Sequence, residues 1–200
     1  MTEMYFDIEV AYTNPEIIER LKSGKRVPGP NPKNSKIITI QYQLLSDDGT
    51  RKKKLQIFKE WESSEEDIIK RVSVLFHPSR IWEFIPIGHN IYFDLGMFKE
   101  RARIYGIKYS NWFIYNELPT IDIKHICVGM NAFRLKDSGL DKFTGKETSG
   151  VMVPVWYYNG EYEKILDYIR KEAKEFIEFY FKLKKRLPRF REEHRFFKFV

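Results

Sequence analysis

The stretch Met4-Tyr5-Phe6-Asp7-Ile8-Glu9-Val10 decides how the rest of this chain is read. Its apolar and aromatic residues predict a buried strand, and two carboxylates stand inside it. Side chains alternate faces along a strand, so Asp7 and Glu9 point the same way. Two more acids occupy matching settings further on. Ile87-Gly88-His89-Asn90-Ile91-Tyr92-Phe93-Asp94 sets Asp94 at a strand-to-helix junction, and Tyr168-Ile169-Arg170-Lys171-Glu172-Ala173 sets Glu172 on the last long helix. Acids amid Tyr, Phe, Ile and Val on a core strand are costly without compensation. Clustered carboxylates repel unless something positive lies between them, and hard divalent cations such as Mg²⁺ prefer oxygen ligands of this kind.

Composition narrows the partner. Two hundred residues, 42% of them hydrophobic and 16% aromatic, suit one ordered domain. A formal charge of +7 suits a polyanion, of which nucleic acid is the commonest. Together with the acid pattern this predicts a metal-dependent nuclease. The single Cys127 excludes an intramolecular disulfide and a cysteine-based zinc cluster. The start lacks a signal-peptide pattern, and no apolar run approaches the roughly 20 residues that span a bilayer. A cytoplasmic protein with no membrane partner is expected.

Strands are predicted over 4–10, 36–45, 53–58, 81–87 and 109–115. Asp47-Asp48-Gly49 marks a hairpin between the second and third. Helices are predicted over 14–22, where Asn14-Pro15 is a cap-and-first-turn signal, and over 64–76, 92–106 and 160–186. The glycine- and proline-rich stretch 23–33 reads as loop, and 120–145 as short helical pieces. A three-stranded meander followed by alternating helices and strands predicts an α/β sandwich around one mixed sheet. Residues 1–186 read as one domain, stopping at Leu187-Pro188, with 187–200 as a basic, aromatic C-terminal tail.

These segments resemble the motifs of the DEDD 3′–5′ exonucleases, a ribonuclease-H-like superfamily. The match is to the tyrosine subclass, similar to the proofreading domain of family-B DNA polymerases. Asp7-Ile8-Glu9 fits the Asp-x-Glu of its first motif. Gly88-His89-Asn90-Ile91-Tyr92-Phe93-Asp94 fits the second, the most specific of the three. The third, Tyr-x-x-x-Asp, is met by Tyr168-x-x-x-Glu172-Ala173, with Glu where the family has Asp. The resemblance spans residues 4 to 186. It implies a ribonuclease-H-like mixed five-stranded sheet flanked by helices. It also implies two Mg²⁺ or Mn²⁺ ions held by Asp7, Glu9, Asp94 and Glu172, and phosphodiester hydrolysis at 3′ ends with Tyr168 orienting the attacking water. Single-stranded DNA is the favoured substrate and RNA the other. A catalytically weakened or inactive nucleic-acid-binding module in replication or repair is the alternative.

The fourth acid is open between two positions. A helix advances about 100° per residue, so Ile165, Ile169, Ala173, Phe176, Tyr180 and Leu183 form one apolar stripe. Glu172 lies at its edge, with Tyr168 one turn away on the same side. Asp167 points roughly opposite, although Tyr162-x-x-x-x-Asp167 has the spacing of the histidine subclass. Asn90 is expected at a helix cap and near nucleic acid; His89 is expected to be a structural hydrogen-bonding residue. Asp122 is either a cleft acid or a cap. Lys25, Arg26 and Lys33, and the run Arg51-Lys52-Lys53-Lys54, are candidate phosphate contacts or simply solvated faces. The tail mixes bases with Phe190, Phe196, Phe197 and Phe199, which suits single-stranded nucleic acid, packing on the domain, or a replication or repair protein.

Overall fold

The computed structural model describes residues 2–46, 53–77, 80, 83–107, 119–144 and 150–193. Five strands form one mixed sheet: β1 (Thr2–Tyr12), β2 (Ser35–Leu45), β3 (Gln56–Lys59), β4 (Phe84–Gly88) and β5 (Ile121–Asp122). Their order across the sheet is β3-β2-β1-β4-β5. β2 runs antiparallel to β1 and β3, whereas β4 runs parallel to β1 and β5. The helices are α1 (Pro15–Lys22), α2 (Glu65–Ser73), α3 (Ile91–Ile104), α4 (Ile123–Met130), α5 (Asp141–Thr144), α6 (Val153–Tyr158) and α7 (Tyr162–Glu193).

Both faces of the sheet are covered, so β1 reads as a continuous apolar run rather than a strict alternation. Met4, Phe6 and Ile8 pack on one face with Ile68, Ile69 and Val72 of α2 and Leu95 and Phe98 of α3. Tyr5 points the other way, with Ala173, Phe176, Ile177 and Tyr180 of α7. Further along, Ala11 and Ile38 meet Ile165, Tyr168 and Ile169. The six stripe residues of α7 are all buried. Lys184 near its far end pairs with Glu3 at 2.8 Å, which holds α7 along β1.

Local chemistry sets several boundaries as expected. Asn14 Oδ1 accepts from the Glu16 N–H at 2.9 Å, with Pro15 opening α1. Ser64 Oγ accepts from the Asp67 N–H at the start of α2. Glu65 is 4% exposed and accepts from the Ile37 N–H, from Arg101 and from the Tyr105 hydroxyl. Arg101 also donates to the Pro32 carbonyl, so one buried ion pair joins α2, α3, β2 and the proline-rich loop.

Two expectations change. The fifth strand is Ile121–Asp122, within a stretch expected to be helical. Two residues suffice because they pair with the end of β4 at Ile87↔Ile121 and Gly88↔Asp122. α7 runs past Leu187-Pro188 to Glu193. Proline forfeits one helical hydrogen bond there, to the Lys184 carbonyl, and Lys185, Arg186 and Leu187 before it are solvent-exposed. The expected hairpin at 47–49, the strand at 109–115 and residues 194–200 of the tail lie outside the described residues. No described helix is long and apolar enough to cross a membrane.

Candidate metal centre

β1 is the strand from which the chain departs to opposite sides, β2 on one flank and β4 on the other. Crevices at the carboxyl ends of strands at such a switch are where open α/β sheets bind ligands. The register explains how acids survive there. Pairing of β1 with β4 ends at Tyr5↔Ile87, so Asp7 and Glu9 project beyond the last paired residue. The ladder with β2 also shifts between Glu9 and Val10, a bulge beside the second acid.

Three layers contribute. β1 gives Asp7 and Glu9, α7 gives Glu172, and one carboxylate oxygen from each lies within 4.8 Å of the others. From the opposite layer, α3 brings Asp94, which is 5% exposed. Its Oδ1 accepts from the Ile8 N–H at 3.3 Å, a donor that the end of the β4 ladder leaves unpaired. Gly88 makes this approach possible: a Cβ there would lie 3.0 Å from the Phe6 carbonyl oxygen and 3.1 Å from Ile91 Cβ. The four acids share a cleft of about 430 Å³ with His89, Asn90, Lys124, Leu135 and Tyr168. Asp167, by contrast, is on the exposed side of α7, paired with Arg170 at 3.0 Å.

The electrostatics report a surplus of negative charge. Burial first, and then the Asp7 and Glu172 carboxylates, push Asp94 well above the usual carboxylate range, against the Ile8 N–H, which lowers it. Burial, Glu9 and Glu172 likewise push the Tyr168 phenol up, and it is hydrogen-bonded to Glu172. Tyr5 is raised by burial, Asp7, Glu172 and Glu9. An all-oxygen donor set that gathers several carboxylates fits hard divalent cations. It is the one such group among the described residues.

Several residues that shape the centre escape a motif reading. Gln41 is fully buried opposite Asp7, and its Nε2 donates to Asp7 Oδ2 at 2.7 Å. Thr39 Oγ1 in turn donates to Gln41 Oε1 at 3.0 Å, and the Tyr5 hydroxyl donates to Asp7 Oδ2 at 3.2 Å. The signal was available: Thr39, Gln41 and Gln43 are polar at alternate positions of an isoleucine-rich strand. Lys124 Nζ donates to Asn90 Oδ1 at 2.8 Å on the cleft wall. Asn90 stands before α3 at φ 64° but makes no side-chain cap bond. Asp122 accepts from the Lys124 and Asn90 N–H groups, so it is a cap acid outside the carboxylate cluster. His89 Nε2 meets the Ser138 carbonyl at 2.9 Å. Lys25, Arg26 and Lys33 are exposed and do not line the acid cleft. Instead Val27, Pro28, Gly29 and Pro30 of that loop border an apolar recess beside Glu9 and Phe93.

No protein-family model and no curated protein sequence matches the chain. Solved structures do. The family B DNA polymerase of the hyperthermophilic archaeon Pyrobaculum calidifontis superposes with a TM-score of 0.61 at 15% identity, over 94% of this chain and 25% of that one. E. coli exonuclease I in complex with a dT13 oligonucleotide gives 0.60 at 13%, over 96% and 43%. The zinc-bound form of the E. coli exonuclease I–ssDNA complex gives 0.59 at 13%, over 94% and 41%. The chain spans less than half the length of each. With its mixed five-stranded sheet, its helices on both faces and these neighbours, the chain has the ribonuclease-H-like fold of the DEDD 3′–5′ exonucleases.

Proposed function

We propose that this protein is a divalent-metal-dependent 3′–5′ exonuclease acting on single-stranded DNA. The observation that supports it most is the convergence of Asp7, Glu9 and Glu172 within 4.8 Å, with buried Asp94 beside them, in an open cleft. Asp7, Glu9, Asp94 and Glu172 are the residues that would hold two Mg²⁺ or Mn²⁺ ions. Bound there, such ions lower the pKa of water and stabilise a leaving oxygen. The chain's own groups do the rest. Gln41 and Tyr5 fix the orientation of Asp7. Tyr168, with its phenol pushed up, stays protonated at neutral pH; its single O–H is engaged with Glu172, and its oxygen can accept from an attacking water. Lys124 and Asn90 offer polar contacts to the strand on the cleft wall. The choice of single-stranded DNA draws on the dT13 and ssDNA bound by E. coli exonuclease I.

The test is a 5′-labelled single-stranded oligonucleotide incubated with Mg²⁺, Mn²⁺ or EDTA. A metal-dependent ladder shortening from the 3′ end, lost in Asp7→Ala and Glu172→Ala, is expected. A second reading, a nucleic-acid-binding module with weakened catalysis, is favoured by Glu172 alone. One extra methylene can displace a carboxylate by about 1 Å, and such displacements cost up to about a hundredfold in rate. Retained binding without cleavage in any metal would establish that reading instead.

A further inference from the structure

A second cleft of about 520 Å³ opens between α7 and the lead-in to β3, lined by Gln43, Lys53, Lys54, Leu55, Arg170, Ala173 and Lys174. Four cations and no carboxylate line it. They come from two places about 120 residues apart in sequence, so their convergence belongs to the fold and not to one charged run. Arg170 and Lys174 are one turn apart on α7 and each is two residues from Glu172, a rotation of about 200°. The helix therefore presents its metal-centre acid on one side and this pair on the other. Gln43 forms a polar floor at 4% exposure, and its Nε2 donates to the Lys53 carbonyl at 2.6 Å, which holds the two lysines' backbone against the cleft. Arg170 Nη1 also pairs with exposed Asp167 at 3.0 Å, a contact that leaves most of its guanidinium donors available.

We infer that this cleft binds backbone phosphates of the nucleic-acid strand outside the acid centre. The inference rests on nucleic acid being the partner, as in the reading above, but not on its hydrolysis. Gln43 lies two residues along β2 from Gln41, which holds Asp7, so the floor of the cleft is only about 7 Å along the strand from the acid centre's support. A strand leaving the acid centre reaches it only beyond its first few nucleotides, because α7 lies between the two. Its exposed lysines and arginine are point charges and forks suited to phosphate and carry no base-reading geometry, so the contact is independent of sequence. The chain's +7 charge sits on the same polyanion logic.

The experiment compares wild type with Lys54→Ala/Lys174→Ala, and with the charge-retaining Lys54→Arg/Lys174→Arg. Fluorescence anisotropy in EDTA follows binding of 5′-labelled oligothymidylates about 4 and 25 nucleotides long over a salt series. Hydrolysis of the p-nitrophenyl ester of thymidine 5′-phosphate with Mn²⁺ reads the acid centre alone. For the 25-mer, the alanine pair should weaken binding about five- to tenfold and reduce the slope of log K against log salt by about 2. The arginine pair should keep both, and the 4-mer and the ester should not distinguish the three proteins. Unchanged 25-mer affinity and slope would overturn the inference. So would loss of binding to inorganic phosphate or thymidine monophosphate with the 25-mer unaffected, which would make this a small-anion site. If no protein hydrolyses the ester while 25-mer binding still falls in the alanine pair, the nuclease reading fails and this site stands.

Discussion

Asp94 is held where a carboxylate is least at ease: buried, facing Asp7 and Glu172, with the Ile8 N–H donating to its Oδ1. Its folded-state pKa is raised, so the unfolded chain ionises first as pH rises. The metal-free protein then loses stability from about pH 4 upward until Asp94 itself ionises in the folded state. Asp94→Asn removes that cost. In EDTA the variant should melt higher than wild type, by a few degrees at pH 8 and by little at pH 4, as thermal scans across that range would reveal. The same variant should lose cleavage activity, since stability and function pull apart at strained sites. Gln41 acts through Asp7. Gln41→Leu removes one of the donors that orient the Asp7 carboxylate, and should raise the Mn²⁺ concentration for half-maximal cleavage by about 10–100-fold with the fold intact by circular dichroism. Asp167→Ala, on the solvent side of α7, should keep activity within about twofold and change stability by under about 0.5 kcal/mol.

Several polar ties join elements, and the Glu65–Arg101 pair is the most buried ion pair among the described residues. Both side chains are largely buried, at 4% and 13% exposure, and are bonded to Ile37, Tyr105 and Pro32 as well as to each other. Removing one partner strands the other's charge. Glu65→Ala should therefore destabilise by about 3–5 kcal/mol, read as a lower urea midpoint. The tie joins α2 to α3, the helix that carries Asp94, and to the loop 23–33. The sequence shows Glu65 only as a first-turn acid of a capped helix. Its partner Arg101 is 36 residues away, and nothing in either segment's periodicity joins them.

Over the whole molecule, the sheet and its two helical layers press four acids together, and bound cations would repay that repulsion. Millimolar Mn²⁺ at about a hundred times its dissociation constant should add about 2.7 kcal/mol to folding stability, a rise of about 5–10 °C in Tm for a chain of this size. The rise should vanish in Asp7→Ala. No rise in wild type with any divalent ion would argue against a metal centre.

The sequence by itself determined what local periodicity controls. β1 follows from its apolar run, α1 from Asn14-Pro15, and the inward edge of α7 from the spacing of Ile165 to Leu183, which separated Glu172 from Asp167. It also singled out the Gly88–Asp94 run, where Gly88 tolerates the close approach of Phe6 and Ile91. What needed tertiary structure depends on pairing between distant segments. A two-residue strand such as Ile121–Asp122 has no period to detect and exists because β4 offers it an edge. Gln41 becomes the support of Asp7 through strand register, a one-residue shift of which would turn it to the opposite face. The charges of Lys53, Lys54, Arg170 and Lys174 are plain in the sequence, but that they face one cleft is a property of α7 lying across the sheet. Propensity and capping act within about one helical turn, whereas the site's geometry is set by side chains 30 to 165 residues apart.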